Sequence, residues 1–129
     1  MNKLTLSPLN KTWLLDLDCT LVKHNGYKDG GDVLLAGAKE FVEQIGSDDK
    51  IIILTSRGGE FRQTTVDFLN ENNIRFNEII FDMPMGERIL INDRKPSGLD
   101  MAYAVNKNRD EPLDVRFDID GGNADVPSA

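Results

Sequence analysis

Two aspartates, Asp16 and Asp18, are the residues best placed for chemistry in this sequence. They close a short apolar run at residues 13–15. On an extended strand their side chains share one face, where two carboxylates repel each other unless a cation or a proton separates them. Such an all-oxygen environment suits Mg²⁺, which would bring a phosphate group with it. One carboxylate could then attack phosphorus while the other moved protons.

Two more polar clusters follow apolar runs later in the chain. Thr55, Ser56 and Arg57 come after the run at residues 51–54, and Asn92-Asp93 comes after the run at 89–91. In a parallel sheet the ligand site lies beyond the carboxyl ends of the strands, so the clusters should meet at one edge. A hydroxyl after the second strand could hold phosphoryl oxygens, and Asp93 is the natural further metal ligand.

The elements that would position these residues alternate between strand and helix. Strands are predicted at residues 13–18, 51–54, 78–81 and 89–91, and helices at about 36–45, 60–71 and 99–105. This alternation predicts an α/β fold, a Rossmann-like three-layer sandwich with a mostly parallel central sheet. The segment 23–32, rich in Gly, Asp and Asn, is predicted to be a loop, which we call the flap.

The length of 129 residues fits one domain, predicted to span residues 1–110. Residues 111–129 are charged and are expected to form a C-terminal tail, disordered from Gly121 onward. The alternation at residues 115–119 indicates an edge strand within this tail.

Composition narrows the function classes. The net charge of -7 argues against charge-driven binding to nucleic acid or an anionic membrane, although a local phosphate site remains compatible with it. Cys19 is the single cysteine, which excludes an internal disulfide. The apolar runs are too short to span a membrane, and residues 1–10 lack the apolar core of a signal peptide. A cytoplasmic location is therefore the expectation.

Three segments of the sequence resemble the motifs of a known family. The segment Asp16-Leu17-Asp18-Cys19-Thr20 resembles the first motif, D-x-D-x-T, of the haloacid dehalogenase superfamily. Residues 53–57 are similar to its second motif and residues 89–93 to its fourth, so the resemblance covers about residues 11–107. It implies a Mg²⁺-dependent phosphomonoester hydrolase that works through an aspartyl-phosphate intermediate. The implied substrate is a small metabolite phosphate, such as a sugar phosphate or nucleotide, or a bulkier phosphate ester.

The resemblance also implies a role for each matching position. Asp16 would be the nucleophile, and Asp18 the general acid/base that also gives its main-chain carbonyl to the metal. Thr20 would support their loop beside the phosphate. Thr55, or Ser56, would bind phosphate together with Arg57. The metal ligands would be Asp16, Asp18 and Asp93.

Two positions depart from the family pattern. Asn92 stands where the fourth motif often has an acid, and Met83 stands in the turn where short members carry a lysine. That lysine balances the charge of the nucleophile and the phosphate. Its replacement would be Arg57, Arg88 or Lys95, and Lys95 is the first choice because it follows the end of the predicted fourth strand.

Neither gap between the motifs is long enough for a folded cap domain. A member without a cap has an open site, suited to a bulky substrate or to closure by a second subunit of a homo-oligomer. Within the enzyme class, the acidic composition makes polynucleotide ends a less attractive substrate.

Two other interpretations stay open. A catalytically impaired domain of the same family could serve as a binding or regulatory module, which the missing turn lysine motivates. A response-regulator receiver would instead phosphorylate Asp82, at the end of the predicted third strand. Of the remaining residues, His24 is expected in an exposed loop, Cys19 as a small packing residue, and Asp48-Asp49 as a solvated turn.

Overall fold

The computed structural model describes residues 2–28 and 30–120. They form two compact units, a larger one of residues 10–85 and 107–114, and a smaller one of residues 2–9, 86–106 and 115–120. The predicted α/β class with parallel strands is confirmed, in the form of two small parallel sheets. The tail segment 121–129 lies outside the described residues.

Five strands are present in the described chain: β1 (Asn2–Leu6), β2 (Thr12–Asp16), β3 (Lys50–Leu54), β4 (Glu78–Ile80) and β5 (Val115–Ile119). The larger unit holds a parallel sheet in the order β2-β3-β4, which confirms three of the predicted strands. The first is shorter than predicted: β2 ends at Asp16, so Asp18 lies in the loop that follows and does not share a strand face with Asp16. Ile51 and Ile53 of β3 have no exposed surface. The register places Asp16 opposite Leu54, so β2 and β3 end side by side.

The two predicted helices of the larger unit are also confirmed, as α1 (Ala38–Gln44) and α2 (Arg62–Glu71), the second preceded by a 3₁₀ turn at Gly59–Phe61. Each helix buries one face: Ala38, Phe41 and Val42 in α1, and Thr65 and Leu69 in α2. Trp13 of β2 meets the ring of Phe41 edge to face at 5.7 Å. This ring contact packs α1 against the sheet.

Gly37, just before α1, joins residues 107–114 to this core. Its φ is 84°, and a Cβ at this position would lie 2.5 Å from the carbonyl oxygen of Leu113. Only glycine tolerates both the conformation and the close approach. The N–H of Leu113 then donates to the carbonyl of Ala36 at 2.8 Å.

The smaller unit pairs β1 with β5 in parallel, from Asn2 opposite Val115 to Leu6 opposite Ile119. The predicted edge strand at 115–119 is confirmed, while β1 was not predicted. The predicted strand at 89–91 and helix at 99–105 are wrong: residues 86–106 contain neither. The side chains of residues 89–91 are 54–90% exposed, and an apolar run is stable as a strand only where neighbours take up its backbone hydrogen bonds.

None of the helices in the described ranges is long and apolar enough to cross a membrane.

Candidate active site at the carboxyl ends of β2 and β3

The loop that follows β2 folds back on the last residue of the strand. The carbonyl of Leu17 accepts hydrogen bonds from the N–H groups of residues 20–22, and Cys19 adopts a positive φ of 73°. This tight turn brings the Thr20 hydroxyl to Asp16, where Oγ1 donates to Oδ2 at 2.9 Å. The carboxylate of Asp16, half-buried at the strand end, is therefore oriented by the loop that follows it.

Thr55 is the first residue after β3, one position beyond the partner of Asp16 in the register. It is 1% exposed, its N–H donates to the carbonyl of Ile80 at 3.0 Å, and its Oγ1 accepts from the N–H of Arg57 at 3.1 Å. Ser56 is exposed, and its hydroxyl makes only a long contact of 3.4 Å to the carbonyl of Pro84. Of the two candidate hydroxyls, Thr55 is the one fixed at the sheet edge.

The turn at residues 82–84 lies against Thr55. The N–H of Met83 donates to the Thr55 carbonyl at 3.0 Å. Met83 stands where short members of the resembling family carry a lysine, and its side chain is apolar. Asp82, the acceptor of the receiver interpretation, has a φ of 61° and accepts a hydrogen bond from the N–H of Gly59 at 3.2 Å. Its carboxylate thus ties the turn to the start of the segment before α2.

Arg57 is buried and joins two carboxylates. Its guanidinium contacts Asp18 through Nε and Nη2, at 3.1 and 3.0 Å, and Asp32 through Nη1 and Nη2, at 3.0 and 2.7 Å. A fifth hydrogen bond runs from Nη1 to the Thr65 hydroxyl at 2.8 Å. Burial acts to lower the pKa of Arg57, but the hydrogen bonds that it donates to Asp32 and Asp18, together with the charges of these carboxylates, outweigh burial and raise this pKa, so the side chain stays charged.

Two cations near the D-x-D-x-T loop, Lys107 and Arg109, were not predicted from the sequence. Lys107 Nζ donates to the carbonyl of Cys19 at 2.8 Å and to that of Asn108 at 2.9 Å. Arg109 contacts the His24 ring, with Nη1 2.8 Å from Nδ1. No local pattern links these residues to a motif almost ninety positions earlier, so the sequence offered no signal for them.

The same loop perturbs its cysteine. Partial burial raises the pKa of Cys19, the Arg109 guanidinium acts in the opposite direction, and the carboxylates of Asp110, Asp18 and Asp16 add to the increase. Cys19 Sγ also lies 3.1 Å from Nδ1 of His24. This thiol therefore stays protonated at neutral pH, unlike the thiolate of a cysteine nucleophile.

The remaining candidates, Arg88, Asn92, Asp93 and Lys95, belong to the smaller unit. Asn92 and Asp93 line a shallow depression of about 250 Å³ together with Arg94, Asp100, Met101 and Ala102. The Lys95 N–H donates to the carbonyl of Leu99 at 2.9 Å, which closes a local turn. Within residues 2–28 and 30–120, no three His, Cys, Asp or Glu side chains gather in an arrangement that could hold a metal.

The structure thus brings Asp16, Asp18, Thr20, Thr55 and Arg57 together in one unit. Comparisons with protein-family models, with curated proteins and with solved structures find no match to this chain.

Proposed function

We propose that this chain is a haloacid-dehalogenase-type phosphatase that hydrolyses phosphomonoesters through an aspartyl-phosphate on Asp16. The observation that supports this most directly is the Thr20 hydroxyl bound to Asp16 at the end of β2, with Thr55 at the end of the neighbouring strand. A nucleophilic carboxylate needs a fixed orientation towards phosphorus. The D-x-D-x-T turn supplies that orientation here.

The reaction would proceed in two steps. In the first, an Asp16 oxygen forms a bond to phosphorus while the ester oxygen leaves and takes a proton from Asp18. In the second, water gives its proton to Asp18 and attacks phosphorus, which releases inorganic phosphate and restores the Asp16 carboxylate. The Thr55 hydroxyl, whose oxygen accepts from the Arg57 N–H directly after β3, is proposed to donate to a phosphoryl oxygen.

Magnesium fits the oxygen donors of the larger unit. Mg²⁺ is commonly bound by one or two protein oxygens together with waters and substrate phosphate. The Asp16 carboxylate is one such donor. The main-chain carbonyl of Asp18 is a second, since the described hydrogen bonds of the loop use the carbonyls of Leu17, Cys19 and Val22 instead. When bound, the ion would neutralise phosphate charge; Asp93 remains a predicted third ligand.

The proposed site also needs a positive charge beside the phosphate, and the lysine that supplies it in the resembling family is absent here. Lys107 supports the proposal in its place, because its ammonium carries three donors and two of them bind the carbonyls of Cys19 and Asn108. The third could reach a phosphoryl oxygen above the D-x-D-x-T loop. Lys95 and Arg88 remain predictions of the sequence.

The proposal extends to the sheet architecture, the substrate class and the location of the protein. A Rossmann-like three-layer sandwich would require further strands beside β2-β3-β4. We propose an open site for a small metabolite phosphate, or for a bulkier ester, in a cytoplasmic protein.

A catalytically impaired binding or regulatory domain is the second candidate. It is favoured by one observation: both oxygens of Asp18, the proposed acid/base, are held by Arg57. If that pairing blocked proton transfer, the chain would bind phosphate and magnesium without turnover.

The test is hydrolysis of p-nitrophenyl phosphate with Mg²⁺, with EDTA, and by Asp16→Asn. We expect nitrophenol release that requires the metal and falls to the buffer blank in Asp16→Asn, because the amide is no nucleophile. Asp48→Asn, which removes the same charge from an exposed position, is the matched control and should retain full activity.

Beryllium fluoride separates the two candidates. With Mg²⁺ it mimics a phosphoryl group on aspartate and should raise the melting temperature of the wild type but not of Asp16→Asn. A raised melting temperature without any turnover supports the binding domain. Neither turnover nor stabilisation would refute both.

A further inference from the structure

All N–H donors of the Arg57 guanidinium make hydrogen bonds within the larger unit. A guanidinium carries five N–H groups, and the five hydrogen bonds of Arg57 reach Asp18, Asp32 and Thr65. The side chain is 1% exposed. It has no donor left for a substrate phosphate. Although Arg57 is next to the predicted phosphate-binding hydroxyls in the sequence, its contacts indicate a role other than phosphate binding.

Asp32 is the partner that makes this arrangement informative. It lies at the end of the flap, and its side chain is only 3% exposed, whereas that of Asp18 is 22% exposed. A buried charge is retained only when it is paired and hydrogen-bonded. Asp32 therefore depends on Arg57 for its pairing, whereas the Asp18 side chain keeps part of its surface exposed.

The flap contacts Arg57 a second time through an aromatic ring. Tyr27 lies with its ring centroid 4.0 Å from Cζ of Arg57, within cation–π distance. The opposite contact of Tyr27 is Phe61, edge to face at 4.8 Å. At the base of the flap, the N–H of Lys23 donates to the carbonyl of Val33 at 2.9 Å. The described flap is thus closed at its base and fastened at two points to one guanidinium.

We infer that Arg57 is a positioning residue that couples the flap to the acid/base carboxylate. Through Asp32 and Tyr27 it fastens the flap, and through its other edge it holds Asp18 in the orientation needed to protonate the leaving group. This inference rests on the proposed function for the role of Asp18. The coupling itself rests on the contacts of Arg57 alone.

The dependence on leaving group tests the catalytic side. Nitrophenolate departs as a stable anion, whereas an alkoxide needs its proton during bond cleavage, and a general acid contributes roughly 10²–10⁴-fold to such steps. In Asp32→Asn, Arg57 loses its charged partner in the flap, so we expect the guanidinium to hold Asp18 less firmly. We expect kcat/KM for an alkyl phosphate such as glycerol 2-phosphate to fall at least about tenfold further than kcat/KM for p-nitrophenyl phosphate.

Arg57→Lys is the companion variant, since lysine keeps the charge but cannot bind two carboxylates through a planar fork. It should show the same selective loss on the alkyl ester. Asp48→Asn, which removes an exposed carboxylate from the same unit, should leave the ratio of the two kcat/KM values unchanged. An equal loss on both esters in Asp32→Asn and Arg57→Lys would overturn the inference for Asp18.

Limited proteolysis tests the flap without any need for activity. The flap contains two trypsin sites, Lys23 and Lys28. We expect Asp32→Asn to be cleaved at these sites several-fold faster than the wild type, and Asp48→Asn to be cleaved at the wild-type rate. Unchanged cleavage would overturn the coupling even in an active enzyme, whereas faster cleavage in a chain without turnover would support the coupling and refute the proposed function only.

Discussion

Two of the apolar runs that end in polar residues, 51–54 and 89–91, lie in very different surroundings. Residues 51–54 form most of β3, the central strand of the larger sheet, where Ile51 and Ile53 have no exposed surface. Residues 89–91 of the smaller unit form no strand, and Ile91 is 90% exposed. Because both runs are equally apolar, the difference lies in their partners: β3 is paired on both sides, by β2 and β4.

The charged groups of the two units differ in the same way. In the larger unit, Arg57 and Asp32 form an ion pair at 2.7 Å with side chains 1% and 3% exposed. In the smaller unit, Arg94 and Asp100 pair at 2.6 Å with side chains 66% and 55% exposed. An exposed pair contributes little to stability, whereas breaking a buried pair leaves an uncompensated charge. Similar distances therefore predict very different sensitivities to substitution.

Truncation of one isoleucine in each run should give the largest contrast. Ile53→Ala removes a fully buried side chain and leaves a cavity, so we expect the free energy of unfolding to fall by about 2–5 kcal/mol. Ile91→Ala removes a side chain that is almost entirely exposed and should change it by less than about 0.5 kcal/mol. Urea unfolding, followed by Trp13 fluorescence and by circular dichroism, measures both.

An Ile91→Ala cost as large as that of Ile53→Ala would break the comparison. It would mean that residues 89–91 pack in a sheet, as the fourth family motif predicts. The predicted Asp93 ligand would then regain its place at a strand end.

The contrast also explains how far the sequence could predict the fold. The strands predicted at 13–18, 51–54 and 78–81 pair with one another, so local pattern and tertiary partner agree, although β2 ends at Asp16 and not at Asp18. The run at 89–91 has an equally strong pattern, but pattern alone does not supply a partner. β1 was missed for the converse reason, since its pairing with β5 joins residues more than a hundred positions apart.

The candidate site divides in a similar way. Asp16, Asp18 and Thr20 lie within five residues, and the resemblance predicted that Thr20 supports their loop, in keeping with its hydrogen bond to Asp16. The sequence did not predict that the strand ends at Asp16. The partners of Arg57 could not be predicted, because Asp32 reaches it from a loop that has no periodic pattern. Lys107 was missed because only the folded chain brings it to the Cys19 carbonyl.

Asp49 gives the next largest contrast and corrects the expectation of a solvated turn at residues 48–49. It is 9% exposed, and its oxygens accept from the Lys11 N–H at 3.0 Å and from Trp13 Nε1 at 2.9 Å. Asp49→Ala leaves both donors without this acceptor, so we expect a loss of about 1–3 kcal/mol in the free energy of unfolding. Thermal or urea unfolding with Asp48→Ala as the neighbouring control measures it.

Asp100→Ala, which removes the exposed ion pair with Arg94, carries this comparison into the smaller unit. We expect its unfolding curve to overlay that of the wild type. A shift as large as that of Asp49→Ala would show that the smaller unit depends on its charges as the larger unit does.

The smallest effect concerns thiol reactivity in the two units. Partial burial, with Arg109 opposing, raises the pKa of Cys19, so its alkylation by iodoacetamide should accelerate at higher pH than that of a freely exposed thiol. The reference is Cys19→Ser combined with Ile91→Cys, which places the single thiol at a 90% exposed position. Rates measured between about pH 7 and 10 bracket the ordinary thiol pKa. Coincident profiles would contradict the prediction.

Arg109→Gln sharpens the same measurement, because the positive charge of this guanidinium favours the Cys19 thiolate. Its removal should move the alkylation profile to still higher pH. The sign also holds for stability. A pKa raised in the folded state means that folding favours the thiol, so this contribution is complete below the pKa of the unfolded chain and is lost as the pH rises through the folded value. Because the thiol is partly exposed, this loss of stability should be smaller than the loss caused by Asp49→Ala. The control is Cys19→Ser, which lacks the thiol. An unfolding midpoint that rises with pH over this range in the wild type but not in Cys19→Ser would contradict the prediction.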